Sequence, residues 1–311
     1  MKRATRDSYG HTLVELGKEN KNIVALEGDL SKATKSEFFS KEFPDRFFNI
    51  GIAEQNMIAM AAGLSTTGKI PFASTFAVFA AGRAFEIIRD SVCYPKANVK
   101  IAATHAGITV GPDGGSHQAI EDIALMCSLP NMIVLSPADD IEACKCVRAA
   151  ANINSPVYIR LGRIPLDDIY DNNYDFQIGK GSELVSGNDV TIIATGIMVH
   201  KALKAAEELK AEGINARVIN ISTIKPIDEE IIIKAAKETK GIVTVEEHSV
   251  IGGLGDRVSS VVCSNYPVLV KKIGVNDVFG ESGNPDSLLE KHGLTVENIK
   301  NTVRSIVDIL N

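Results

Sequence analysis

The sequence has no block of basic residues and few aromatics, 5% in all, and its 33 lysines and arginines are outnumbered by 39 aspartates and glutamates, for a net charge of −6. A surface that tracks nucleic-acid phosphates needs the opposite balance, so the chain is expected to have no nucleic-acid partner. No apolar run approaches the roughly 18 residues that a membrane span requires. The basic residues near the N-terminus, Lys2, Arg3 and Arg6, are not followed by the apolar segment of a secretory signal. A protein of the cytoplasm, with no membrane partner, is the expectation. Cysteine is sparse and odd in number: Cys93, Cys127, Cys144, Cys146 and Cys263 form no Cys-x-x-Cys pair and show no histidine spacing for zinc, so they read as reduced residues, mostly of apolar helices. Repeats of solenoid length and low-complexity segments are also lacking.

What is present is the composition of a soluble globular protein, 45% hydrophobic and 23% charged over 311 residues, a length that suits two domains at about 100–200 residues each. Short apolar runs alternate with helical patterns. Tyr9–Lys18, Ile50–Leu64 and Phe79–Asp90 carry helical spacing, and strands are expected at 23–26, 70–73, 99–103 and 132–135. Buried strands alternating with helices imply a mostly parallel sheet covered on both faces. The pattern lapses in a polar, turn-rich stretch around Pro165, Asp167-Asp168 and Asn172-Asn173, and resumes with strands at 190–194, 216–221 and 242–246 and helices at 199–212 and 228–238. The fold class read from this is α/β, two doubly wound domains over 1–165 and 187–311, joined by a linker at 166–186.

Two segments carry chemistry. In Asn49-Ile50-Gly51-Ile52-Ala53-Glu54-Gln55-Asn56-Met57, a glutamate opens an otherwise apolar helix. A first-turn carboxylate complements the helix dipole, which alone would explain it; buried against a ligand, it could instead share a proton with that ligand. The second segment, Thr104 to Gln118, follows an expected strand and holds His105, Asp113 and His117 in a glycine-rich loop. Ligands bind beyond the carboxyl ends of parallel strands, and glycine lets the backbone approach them. Gly252-Gly253-Leu254-Gly255-Asp256 lacks the spacing of a dinucleotide fingerprint and reads as a strand-to-helix turn.

Phe48-Asn49-Ile50-Gly51-Ile52-Ala53-Glu54-Gln55, Ser74-Thr75-Phe76-Ala77-Val78-Phe79, the Thr104–Gln118 loop, Ser128-Leu129-Pro130-Asn131 and Ser136-Pro137-Ala138-Asp139 together resemble the transketolase family, in the family's order and over essentially the whole chain. The resemblance implies a pyrimidine-binding domain followed by a transketolase C-terminal domain. It implies thiamine diphosphate as cofactor, with Glu54 hydrogen-bonding a ring nitrogen of the aminopyrimidine to favour the imino tautomer that activates the thiazolium carbon. The reaction it implies is transfer of a two-carbon ketol unit from a ketose phosphate to an aldose phosphate. Phe76 and Phe79 fall at the family's positions facing the aminopyrimidine, and a third family aromatic is replaced by Gly82. Arg6, Arg163 and His105 would meet the substrate phosphate, Asp113 a hydroxyl, and His117 would lie near the reacting carbons, so that Glu54, His105 and His117 are the implied catalytic residues. Arg160 rivals Arg163; Ala33 stands where the family has a phosphate-holding serine, for which Thr34 could substitute.

The family's diphosphate module, with Gly-Asp-Gly and a later asparagine, is missing: only Gly28-Asp29-Leu30 occurs. The implied assembly is therefore two copies each of this chain and of an N-terminal transketolase subunit that carries the diphosphate-binding domain and holds the magnesium, with no metal ligand on this chain. The alternatives are the beta subunit of a 2-oxoacid dehydrogenase, a deoxyxylulose-phosphate-synthase-like enzyme, and a non-catalytic binding subunit.

Overall fold

The computed structural model describes residues 2–310. Twelve strands form two sheets: β1 (Ile23–Glu27), β2 (Phe47–Asn49), β3 (Ile70–Phe76), β4 (Lys100–Thr104), β5 (Ile133–Leu135), β6 (Val157–Arg160), β7 (Ser182–Val185), β8 (Val190–Ala194), β9 (Ala216–Asn220), β10 (Thr223–Lys225), β11 (Gly241–Ser249) and β12 (Leu269–Val275). The first sheet runs β10-β5-β6-β4-β3-β1-β2 and the second β12-β11-β8-β9-β7. Within each, all pairings are parallel except those of the edge strands β10 with β5 and β7 with β9. β1, β4, β6 and β8 are buried along their whole length, as runs such as Ile23-Val24-Ala25-Leu26 require when helices cover both faces. Two α/β layers were expected and two are found.

Three differences from the sequence reading concern the site or the seam between sheets. The stretch 166–186 ends in β7, an edge strand of the second sheet. β10, from the C-terminal half, adds an antiparallel edge to the first sheet, so one strand crosses from the second half to the first. Where a regular helix was expected over 79–90, wide π-type turns at Phe79–Arg83 and Ile88–Cys93 flank a single α-turn, Phe85–Ile87. Such turns often occur at functional sites.

Several motif residues are structural. Asp139 caps the helix Asp140–Asn152 by accepting from Glu142 N at 2.7 Å, and its other oxygen accepts from Ile169 N and Tyr170 N, fastening the linker. The Gly252–Asp256 turn leads into the helix Leu254–Asn265, as expected, and the Glu246 carboxylate accepts from Leu254 N and Gly255 N at 2.7 and 2.8 Å. A carboxylate of the chain thus occupies the helix N-terminus that would receive a nucleotide's phosphate.

Arg160 is not a phosphate ligand. It is buried at the seam, with Nε donating to Asp122 Oδ2 and Oδ1 at 2.9 and 3.2 Å and Nη2 donating to the carbonyl of Glu247 at 2.9 Å; Tyr158 Oη also donates to Asp122. Removing one member of a buried pair strands the other charge. Asp122→Ala should therefore destabilise the chain by about 3–5 kcal/mol, read from urea denaturation midpoints. A loss smaller than about 1 kcal/mol, the value of an exposed pair, would show that Arg160 finds water instead.

Candidate active site

The sequence-derived residues converge at the carboxyl ends of β1, β3 and β4, adjacent central strands of the first sheet. That is where ligands bind in open parallel sheets. Phe76 closes β3, His105 follows β4, and Glu54 opens the helix Glu54–Ser65 after β2.

Glu54 is 1% exposed. Its Oε2 accepts from Arg83 Nη1 at 2.8 Å, an ion pair whose arginine is 42% exposed; the guanidinium lies 4.7 Å over the Phe79 ring. The widened turn Phe79–Arg83 brings that ring and the guanidinium together. Arg83 was not singled out from sequence.

Phe76 and Phe79 stack nearly parallel, 10° apart with centroids at 6.0 Å; His105 stacks on Phe76 at 3.9 Å and His117 meets both phenyl rings edge-on at 6.2 and 5.6 Å. Four rings from three segments form one wall. His105 is 2% exposed and adopts a left-handed backbone, φ +58°, a conformation uncommon outside glycine and frequent at functional positions. Its Nε2 lies 3.0 Å from Arg6 Nη1 and its Nδ1 2.9 Å from Thr104 Oγ1. Arginine only donates, so Nε2 accepts and Nδ1 bears the proton, donating to Thr104. Burial first, then the positive charges of Arg6 and Arg163, push the His105 pKa down to about 3. This imidazole is neutral throughout the physiological range.

Arg6 also donates to the Ala33 carbonyl at 3.1 Å, and its Nε is buried without a hydrogen-bond partner among the described residues. An orphaned guanidinium donor suits an anionic oxygen. Arg163 donates to the Val110 carbonyl at 2.6 Å and pairs with Asp113 at 3.2 Å, joining two of the expected substrate residues at a half-exposed rim. Thr34 does not replace the serine lost at Ala33. Its hydroxyl is buried and committed to Glu27 Oε1 at 3.0 Å. Glu27, a second buried carboxyl missed from sequence, ends β1 with its pKa raised to about 7 by burial, against the hydrogen bonds from Leu30 and Thr34.

The donor set fits an aminopyrimidine. A buried carboxylate accepts a hydrogen bond at Oε2 and is linked through Arg83 to the Phe79 end of an aromatic wall. Nothing comparable serves a metal: among the described residues no group of three or more histidine, cysteine, aspartate or glutamate side chains is placed to hold an ion. No helix there is long and apolar enough to cross a membrane.

Fold and site together define a mostly parallel α/β protein with a buried carboxylate and a cluster of four rings at the carboxyl ends of the first sheet. Comparison with known proteins narrows the class. Residues 1–167 match the transketolase pyrimidine-binding domain and residues 179–299 the transketolase C-terminal domain. The chain is 56% identical over 297 residues to a protein of Methanocaldococcus jannaschii provisionally named a transketolase C-terminal section, covering 94% of this chain and 93% of that one. It is 42% identical to human transketolase over 308 residues, which is 98% of this chain but 49% of the human protein. A solved split-gene transketolase, an inactive β4 tetramer, superposes with a TM-score of 0.91 at 56% identity and 99% coverage of both chains. The chain belongs to the transketolase family, a thiamine-diphosphate-dependent family whose general reaction is ketol transfer, and corresponds to the C-terminal subunit of its split form.

The state of His105 gives a stability test. In the unfolded chain the imidazole takes up a proton near its ordinary value of about 6.5, whereas in the folded chain it stays neutral down to about 3. Between those values the unfolded chain binds more protons, so the residue's contribution is complete above about pH 6.5 and is lost as pH falls toward 3. Comparing the unmodified chain with His105→Gln, the stability difference should fall by about 2 kcal/mol between about pH 7.5 and about pH 5. A difference that is the same at both pH values would contradict a neutral, buried His105.

Proposed function

We propose that this chain is the pyrimidine-side subunit of a two-chain transketolase, active only with an N-terminal subunit that supplies the diphosphate-binding domain and magnesium, and that it moves a ketol unit between sugar phosphates. The observation that carries this reading is the buried Glu54 carboxylate beside the Phe76–Phe79 wall, at the carboxyl ends of a parallel sheet. The near full-length match to a protein named as a C-terminal section and the inactive state named for the similar split-gene β4 tetramer support the need for a partner. Two copies of each chain would complete the enzyme. Five cysteines without a disulfide suit the reducing cytoplasm. The proposed domain limits are 1–165 and 187–311.

When bound, thiamine diphosphate supplies the carbanion-stabilising chemistry of the ketol transfer. Glu54 holds or releases a proton at the pyrimidine ring nitrogen; for this Arg83, whose guanidinium already lies over the Phe79 ring, must turn aside or share the carboxylate. Phe76 and Phe79 orient the ring and exclude water. Arg6 and Arg163 bind the phosphate, the neutral His105 accepts from Arg6 and keeps its guanidinium directed, Asp113 takes a hydroxyl, and His117, on the inner edge of the wall, serves the oxygen of the reacting carbons.

Glu54→Gln keeps the volume and a hydrogen-bonding group but cannot share the proton. In the reconstituted two-chain enzyme it should slow deuterium exchange at the thiazolium carbon by about 10²–10⁴-fold, while the denaturation midpoint of the chain changes little. Exchange at the unmodified rate would remove Glu54 from the proton relay.

A further inference from the structure

The substrate loop belongs to the first domain but is gripped by the second. Gly107 has φ +81°, and a Cβ built there would lie 2.2 Å from the Glu247 carboxyl carbon, so the backbone passes directly against this side chain of β11. Two residues on, Thr109 N donates to Glu247 Oε1 at 2.7 Å. Glu247 is 3% exposed, and its own carbonyl is held by Arg160, which Asp122 anchors in turn. Further along, Gln118 Nε2 donates to the carbonyls of Ile108 and Glu281, Gly283 N donates to the Gly111 carbonyl, and Gly114 and Gly115 pack against Ser282 and Gly280. Both ends of the turn that carries His105, Asp113 and His117 are therefore seated on the C-terminal domain.

We propose that the C-terminal domain acts in the reaction as the template for the substrate loop, with Glu247 as the positioning residue that fixes residues 107–109 and, through them, the sugar-phosphate contacts of His105, Asp113 and Arg163. Glu247 touches no reacting atom. It acts by accepting one hydrogen bond that water would otherwise compete for, at a point where glycine alone leaves room. Burial raises its pKa to about 7 against the pull of Arg160 and the Thr109 amide, the signature of a carboxyl kept in a dry seam for the bond it makes. Glu54 lies on a separate helix and bonds Arg83 rather than this loop, so its own placement does not depend on the grip.

The proposal rests on the transketolase reading only for its kinetic arm. Hydrogen–deuterium exchange on the full chain needs no activity: the Thr109 amide should be as slow as the Ser249 amide, which bonds the Ile120 carbonyl across the same seam. Glu247→Met, which keeps volume but loses the acceptor, should speed Thr109 exchange by about tenfold or more, and Glu247→Gln, which keeps an acceptor, should stay within about threefold of the unmodified chain. In the reconstituted enzyme the KM for a ketose phosphate should rise about tenfold in the Met variant, with deuterium exchange at the thiazolium carbon within about twofold. A fast Thr109 amide in the unmodified chain, Met and Gln variants that behave alike, or a thiazolium exchange that falls together with the KM effect would each overturn the proposal. Absence of ketol transfer in the unmodified reconstituted enzyme would instead strike at the transketolase reading and leave the exchange result standing.

Discussion

A carboxylate withdrawn from water has to be compensated, and at Glu54 the compensation comes from one half-exposed arginine. Much of the site follows from that requirement. The helix start gives the buried carboxylate its favourable dipole, and the widened turn after β3 places Arg83 within reach while leaving that arginine half-exposed. A pairing that is strong enough to keep a buried charge and loose enough to be exchanged for a ligand is what a carboxylate waiting for its cofactor needs.

The rest of the site is a set of cations kept from neutralising one another's purpose. Burial, and after it the charges of Arg6 and Arg163, keep His105 neutral, and the imidazole then serves as an acceptor for Arg6 rather than a third repelling charge. Arg160, by contrast, is consumed by Asp122 in the seam between the domains. The same chemical group thus stands at an open rim in Arg163 and builds the seam in Arg160, according to whether its carboxylate partner is buried with it.

Much of this was legible in the sequence, and what was not has physical causes. The strands β1, β3, β4 and β8 declare themselves as short, largely apolar runs; Glu54 stands out as a carboxylate opening an apolar helix, His105 and His117 as imidazoles in a glycine-rich loop after a strand, and Phe76 through the family resemblance alone. Arg83 could not be paired with Glu54 from a separation of 29 residues, since only the fold and the widened turn bring them together. β10 is three residues long and takes its identity from a neighbour in the other half of the chain. Thr34 looked available because hydroxyls usually are; the buried Glu27 that claims it is a tertiary fact. The grip of Glu247 on Gly107 and Thr109 joins residues about half the chain apart and leaves no local pattern beyond a glycine.

In the proposed enzyme this chain presents only the pyrimidine half of a cofactor site whose charged anchors lie on another polypeptide. Titration calorimetry with thiamine diphosphate and magnesium, on the purified chain with and without the N-terminal subunit, tests it most directly. The account predicts weak, magnesium-independent binding to the chain alone and tight, magnesium-dependent binding once the partner is added, with the cofactor stabilising the association of the two chains by linkage. Tight, magnesium-dependent binding by the isolated chain would contradict it.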